Sequence, residues 1–251
     1  MKKFLGIQEV IANEEIISGV WKMIFYAPEI AAEARPGQFV NVRKDKSLVF
    51  LRRPFGIVAA KDGAVTIIYR VVGIGTEELT AMRAGDLLSV AGPLGDGVFS
   101  TAPGKTLLVG GGVGLAPLIF LADVLPDPVV LIGSKNEAET FWVRFFEHAA
   151  AEIYVTTDDG TAGIKGVAAA ALPQIFEEHA IDRIAVCGPT AMMRTIAAAA
   201  AAANIPCEVS MEKRMACGIG ACLGCTFAGK ASGRRYKVCT DGPVFAAKEV
   251  F

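Results

Sequence analysis

Between residues 4 and 99 apolar side chains come in short runs, many alternating with polar ones, and the runs are separated by turn-forming pairs. A period of two over a handful of residues is the mark of half-buried strands. The clearest runs cover 19–26, 38–42 and 65–71, and Pro36-Gly37, Asp62-Gly63 and Gly85-Asp86 supply turns. Many short strands without a helical period predict a small antiparallel β-barrel over residues 1–100.

From Lys105 the pattern changes. Thr106 to Gly110 is a continuous apolar run, read as a buried strand, and further strands are expected at 129–132, 153–156, 184–187 and 207–209. Helical stretches alternate with them at 115–125, 137–150, 167–179 and 191–203. The last is alanine-rich, and alanine's high helix propensity makes it a packed helix and not a low-complexity tract. Strand and helix in alternation imply a parallel sheet with helices on both faces over 101–210. The remaining 211–251 lacks either period and is rich in glycine and cysteine, so it is expected to form a small module of its own. The fold class is thus α+β and multidomain, with a barrel, a parallel-sheet domain and a C-terminal module.

Composition narrows the partners. With 25 basic and 26 acidic residues the formal charge is −1, and no global field favours nucleic acid. Mean hydropathy is high at +0.44, yet no apolar stretch reaches the ~18–20 residues that span a bilayer. The N-terminus turns polar and acidic before any signal-peptide core, so a cytoplasmic protein is expected, in a compartment that keeps thiols reduced. Two histidines argue against a histidine-based metal site.

The chemistry concentrates at the end of the chain. Cys217, Cys222 and Cys225 stand as C-x4-C-x2-C, and Cys239 follows after a turn at Ala231, Ser232 and Gly233. This is the plant-type [2Fe-2S] ligand spacing, in which three thiolates come from a tightly wrapped loop and a fourth arrives on a separate segment. Gly218, Gly220 and Gly224 allow the wrapping. A closed zinc tetrahedron is the alternative use of four thiolates, although such sites usually show two C-x2-C pairs. Cys187 and Cys207 lie outside the pattern.

Two further groups carry weaker signals. In the barrel, Arg53-Pro54-Phe55-Gly56, then Ile68-Tyr69-Arg70, then Gly75-Thr76 offer a guanidinium for a pyrophosphate, aromatics for a ring face and phosphate donors, a set that suits FAD. Each member also reads as a strand, core or turn residue. In the second domain, Gly110-Gly111-Gly112-Val113-Gly114 follows the first strand and opens a helix, where a dinucleotide pyrophosphate meets N–H groups. It lacks the full G-x-G-x-x-G pattern, so alone it is a weak signal. Cys187-Gly188-Pro189 ends the fourth strand at the same sheet edge, where the chemistry of Cys187 alone favours a small buried apolar residue over a ligand contact. Asp158-Asp159 reads as a ribose neighbour or as a solvated loop. No cluster of Arg or Lys follows the second strand beyond Lys135, which favours NADH over NADPH.

Taken together, the chain resembles the electron-transfer subunits of class 1B dihydroorotate dehydrogenases over nearly its whole length. Arg53-Pro-Phe-Gly56, Tyr69-Arg-Val-Val-Gly-Ile-Gly-Thr76, Gly110-Gly-Gly-Val-Gly-Leu-Ala-Pro117, Thr157-Asp-Asp-Gly160 and Cys187-Gly-Pro189 carry the resemblance. Its most specific parts are Met215-Ala-Cys-Gly-Ile-Gly-Ala-Cys-Leu-Gly-Cys225 and Val238-Cys-Thr-Asp-Gly-Pro-Val-Phe245. The front two thirds look like the wider ferredoxin-NADP reductase superfamily. The resemblance implies a hydride passed from NADH to FAD and single electrons passed through the [2Fe-2S] cluster. It also implies a partner, a TIM-barrel subunit carrying FMN and oxidising dihydroorotate, in a heterotetramer of two of each chain. Gly56 departs from the serine usual at that motif position, leaving only a backbone N–H there. Flavin subunits of a sulfhydrogenase or of an electron-bifurcating NADH-dependent ferredoxin reductase share the same build, and a zinc-stabilised binding module is the reading from another class.

Overall fold

A computed structural model describes residues 2–47 and 49–251 of the chain. Six strands form a closed antiparallel barrel: β1 (Phe4–Ile17), β2 (Val20–Tyr26), β3 (Phe39–Lys44), β4 (Arg53–Lys61), β5 (Ala64–Arg70) and β6 (Leu87–Leu94). Their order is β1-β2-β5-β4-β3-β6, closed by β1 against β6, so no strand edge is left open. The period of two is visible in the burial. Met23, Phe25, Val42, Ile67, Leu88 and Val90 are fully buried, each contributing about 1.5–3 kcal/mol. Asp62 (φ 53°) and Gly63 (φ 76°) make a two-residue turn between Lys61 and Ala64, where positive φ at both positions matches the strand twist. Two short helices, α1 (Pro28–Glu33) and α2 (Ile74–Thr80), interrupt the strand sequence.

The second unit is a seven-stranded sheet of order β10-β9-β8-β7-β11-β12-β15. Its elements in chain order are β7 (Thr106–Gly111), α3 (Ala116–Val124), β8 (Val129–Ser134), β9 (Glu152–Thr157), β10 (Ile164–Lys165), α4 (Leu172–Glu178), β11 (Arg183–Cys187), α5 (Thr190–Ala202) and β12 (Cys207–Ser210). After two strands of the cysteine segment, β13 (Thr226–Ala228) and β14 (Arg235–Lys237), come β15 (Val244–Ala246) and α6 (Ala247–Val250). One face of the sheet buries Leu107, Val109, Leu131, Ile184 and Val186 under Ile196, Ala197 and Ala200 of α5 and Ile175 of α4.

Two details depart from the expectations. The stretch expected as a helix at 137–150 is 3-10 helix over Glu137–Phe145, and that at 167–179 starts as 3-10 helix over Ala168–Ala171 before α4. Aromatic and β-branched residues such as Phe141, Trp142 and Val143 lower the α propensity of the first. The sheet gains an antiparallel edge, β15 against β12. Within the segment 211–251, the backbone contacts fall into two compact units. Glu212–Phe227 and Arg235–Pro243 belong with the barrel, and Ala228–Arg234 and Val244–Phe251 with the sheet. The physical cause is backbone pairing. Asp96 N–H donates to the Thr240 carbonyl at 2.9 Å and Gly97 N–H to that of Gly242 at 3.0 Å, while β15 extends the sheet.

Candidate functional site

The barrel unit brings Arg53 and Gly75 together from 22 positions apart in the chain. A Cβ on Gly75 would fall 2.6 Å from Arg53 Nε and 2.7 Å from Nη2, so only glycine leaves the guanidinium its place. Arg53 Nη1 donates to the Leu51 carbonyl at 2.6 Å, which holds the fork at the start of β4. Phe55 and Tyr69 pack with ring centroids 5.5 Å apart. Tyr69 is fully buried and donates to Asn13 Oδ1 at 3.1 Å, and burial holds its phenol well above its ordinary pKa. Asn13 in turn donates to the carbonyls of Leu79 and Met82, tying β1 to the end of α2.

Thr76 is placed differently from the expectation that its hydroxyl faces a phosphate. That hydroxyl accepts from the N–H groups of Val72 (2.9 Å) and Gly73 (3.2 Å) and donates to the Gly73 carbonyl (2.8 Å). Its hydrogen bonds are spent on shaping the 72–76 turn. Ile68 lies in the core, Arg70 is exposed, and Gly56 pairs with Phe39 beside the half-buried Pro54. Sequence reading missed Arg52 and Arg43. Arg52 Nη2 donates to Ser89 Oγ at 2.9 Å, and the Nε atoms of both arginines are buried without a partner. Burial, then the neighbouring Arg43, lowers the Arg52 pKa.

In the sheet unit the two expected nucleotide turns meet. β7 and β11 are parallel neighbours with Gly110 opposite Cys187. A Cβ on Gly114 would lie 2.5 Å from Gly188 Cα and 2.7 Å from the Cys187 carbonyl oxygen, so these turns pack backbone against backbone. Gly188, at φ 151°, has Gly111 N and O at 3.1 Å from its own Cβ position, and Pro189 Cδ lies 3.4 Å from that of Gly111. Gly112 has φ 56° and nothing within 4 Å, so it is free to face a ligand. Gly110 serves packing, since Leu115 Cδ2 would meet its Cβ at 2.4 Å. Thr156, unremarked in the sequence, places a fully buried and unpartnered hydroxyl opposite Gly133 near the carboxyl ends of β8 and β9. Asp159 closes its own loop by accepting from Thr161 N–H and Oγ1, which lowers its pKa and favours the solvated-loop reading.

The four cysteines assemble as two pairs on the barrel unit. The Cys222 N–H donates to Cys217 Sγ at 3.4 Å, and the Cys239 N–H to Cys225 Sγ at 3.4 Å. Burial raises the Cys217 thiol pKa, but N–H groups of Ile219, Cys222 and Ala221 together with the Cys222 thiol outweigh it and bring it down to about 6. Burial, then the adjacent Cys225, pushes Cys239 up to about 12. Cys225 and Cys239 are buried, whereas Cys222 is exposed, so one pair faces inward and the other outward. Gly218 takes φ 72° because Asn41 Nδ2 of β3 lies 2.1 Å from where a Cβ would sit. Two thiol pairs with N–H groups aimed at sulfur are the donor set that two bridged irons require. Among the described residues no disulfide is formed, and Cys207 stays apart, its pKa raised to about 12 by burial and then Glu208. The other grouping of metal-binding residue types, Glu152, Glu178 and His179, is closed by its own hydrogen bonds through Tyr154.

A ferredoxin-reductase-like barrel and parallel sheet, with four paired cysteines at its C-terminal end, define an NAD-linked flavin and iron-sulfur electron-transfer oxidoreductase. Residues 212–251 match the model of the iron-sulfur cluster binding domain of dihydroorotate dehydrogenase B. The chain is 40% identical over 244 residues, 96% of both chains, to the dihydroorotate dehydrogenase B (NAD(+)) electron transfer subunit of Caldanaerobacter subterraneus subsp. tengcongensis. It is 36% identical to that of Clostridium acetobutylicum, covering 100% of this chain and 98% of the other. The solved structure of an NADH-dependent reduced ferredoxin-NADP oxidoreductase, associated with flavin-based electron bifurcation, superposes with a TM-score of 0.87 at 32% identity, covering 97% of this chain and 89% of that one. The chain belongs to the family of dihydroorotate dehydrogenase B (NAD(+)) electron transfer subunits. A subunit of that kind works with a catalytic partner. No helix among the described residues is long and apolar enough to cross a membrane.

Proposed function

We propose that this chain carries electrons between NADH and an FMN-containing TIM-barrel subunit that oxidises or forms dihydroorotate, in a cytoplasmic heterotetramer of two of each chain. The assembly of Cys217 with Cys222 and of Cys225 with Cys239, each pair joined by an N–H to sulfur hydrogen bond of 3.4 Å, is the observation that carries the reading. A bound flavin accepts a hydride's two electrons and a [2Fe-2S] centre passes them on singly. The residues hold these groups in place. Arg53, seated over Gly75, supplies a forked donor for the FAD pyrophosphate, with Pro54, Phe55, Gly56, Ile68, Tyr69, Arg70 and Thr76 forming and bracing the flavin site. Gly110, Gly111, Gly112 and Gly114 shape the turn that receives the NAD pyrophosphate, and Cys187-Gly188-Pro189 borders the nicotinamide end. The segment after β8 carries Glu137 and Glu139 in place of a cation cluster, and Glu139 accepts from Lys135 N–H, which supports NADH over NADPH.

We find no second flavin site among the described residues, so the purified chain is expected to release FAD, reduce dyes with NADH far better than with NADPH, and leave dihydroorotate untouched until the FMN subunit is added. Dihydroorotate turnover by the chain alone, or recovery of FMN only, contradicts the proposal. The likeness to the ferredoxin-NADP oxidoreductase supports a second reading, with the same cofactors and a different partner. The subunit that co-purifies separates the two.

A further inference from the structure

Around the cysteine loop two buried side-chain atoms have no hydrogen-bond partner, Asn41 Oδ1 and Thr240 Oγ1. Leaving such a buried atom unpaired costs the full desolvation of the group, so each calls for a group that meets it. They differ in what they offer a sulfur. An amide oxygen only accepts, and a metal-bound thiolate or sulfide has no proton to give it, whereas a threonine hydroxyl donates.

The placement of Thr240 narrows its role. Its backbone is fully used, the N–H donating to the Lys237 carbonyl at 3.2 Å and the carbonyl accepting from Asp96 N–H at 2.9 Å. Its side chain stands against the other ligand-bearing segment, with Cγ2 3.0 Å and Oγ1 3.5 Å from the Cβ position of Gly220, a glycine at φ 82°. The Gly220 N–H itself reaches the Cys239 thiol. Thr240 therefore adjoins Cys239 in the chain and touches the 217–222 wrap in space. Several other threonine hydroxyls are spent locally, as those of Thr80, Thr140, Thr195 and Thr226 are on nearby carbonyls, and among the described residues only Thr156 shares a buried threonine hydroxyl without a partner. The Thr240 hydroxyl is held out of water without such a partner.

We propose that Thr240 is a positioning residue of the iron-sulfur centre, its hydroxyl donating a hydrogen bond to a sulfur of the assembled centre and favouring the reduced, more negative state. Hydrogen bonds to cluster sulfurs are among the determinants of potential. The inference rests on the cluster reading given above, and its test keeps the two apart.

The test uses the purified full chain, measuring iron and sulfide and titrating the centre by EPR against potential. Thr240→Val, which keeps the shape and removes the hydroxyl, is expected to retain iron and sulfide while its reduced-to-oxidised ratio at a fixed potential falls about tenfold, a shift of about 59 mV downward for one electron. Thr240→Ser is expected to titrate like the wild type. A fully loaded valine variant with the wild-type midpoint overturns the proposal. If valine blocks assembly, Thr240→Ala is titrated against the same expectation. Loss of the centre from both, with retention in serine, supports the hydroxyl; loss from serine as well overturns it, because the methyl contact with Gly220 is then what matters. A wild-type chain without iron refutes the cluster reading itself.

Discussion

Individual residues divide here into those that bring chemistry and those that make room for it. The four cysteines are proposed to be of the first kind, and three of them were singled out in the sequence because the spacing C-x4-C-x2-C is a local property of one loop. Replacing Cys239 with serine is expected to abolish the cluster spectrum and iron content, while Cys207→Ser, on β12 and outside the two thiol pairs, leaves both unchanged. Iron analysis and the visible spectrum of the two variants decide this. The glycines are of the second kind, and which of them are indispensable was not legible. Gly218→Ala places a methyl 2.1 Å from Asn41 Nδ2 at a left-handed φ, so cluster occupancy should fall several-fold with the flavin retained. Gly224 has only Cys222 Sγ nearby, at 3.6 Å, and Gly224→Ala should keep its iron. Iron-to-flavin ratios compare them.

At the scale of elements, function sits where strands end. β7 and β11 are parallel neighbours, so the turns after them emerge side by side, and the missing side chains of Gly111, Gly114 and Gly188 let backbone meet backbone. Gly114→Ala, with backbone atoms 2.5–2.7 Å away, is expected to raise KM for NADH by tenfold or more while FAD content stays at the wild-type level. Steady-state dye reduction and released flavin measure the two effects, and an unchanged KM sinks the assignment of this turn to the nucleotide. The sequence pattern located both turns because a run of buried strand residues stops at each. It did not reveal that the Thr76 hydroxyl is consumed by Val72 and Gly73, since one threonine can cap a turn or contact a ligand with the same neighbours in sequence. Likewise, two- and three-residue strands such as β10 and β15 are too short to show a period.

For the whole molecule, the exposed side of the cysteine loop matters most. Ile219 and Leu223 are each 59% exposed beside the exposed Cys222, whereas Phe227 is half-buried and stacks on Tyr236 at 5.6 Å. Small and apolar side chains around a redox centre suit close approach of a partner and a short electron path. Leu223→Asp is therefore expected to weaken complex formation with the FMN subunit at least tenfold while iron, flavin and NADH-dye activity persist; gel filtration of the mixed subunits checks it, and undiminished complex formation counts against this face as the contact. The antiparallel barrel and the parallel sheet followed from the chain alone, and the expectation of a four-cysteine cluster came from it too, because periodicity and cysteine spacing are short-range properties that each segment carries with it. Tertiary structure decided the rest: the seating of Arg53 over Gly75, the meeting of Gly114 with Gly188, the division of the last forty residues between two units, and the unpartnered hydroxyl of Thr240. Those depend on distances between residues far apart in the chain, which are set only when the strands close and their ends come together.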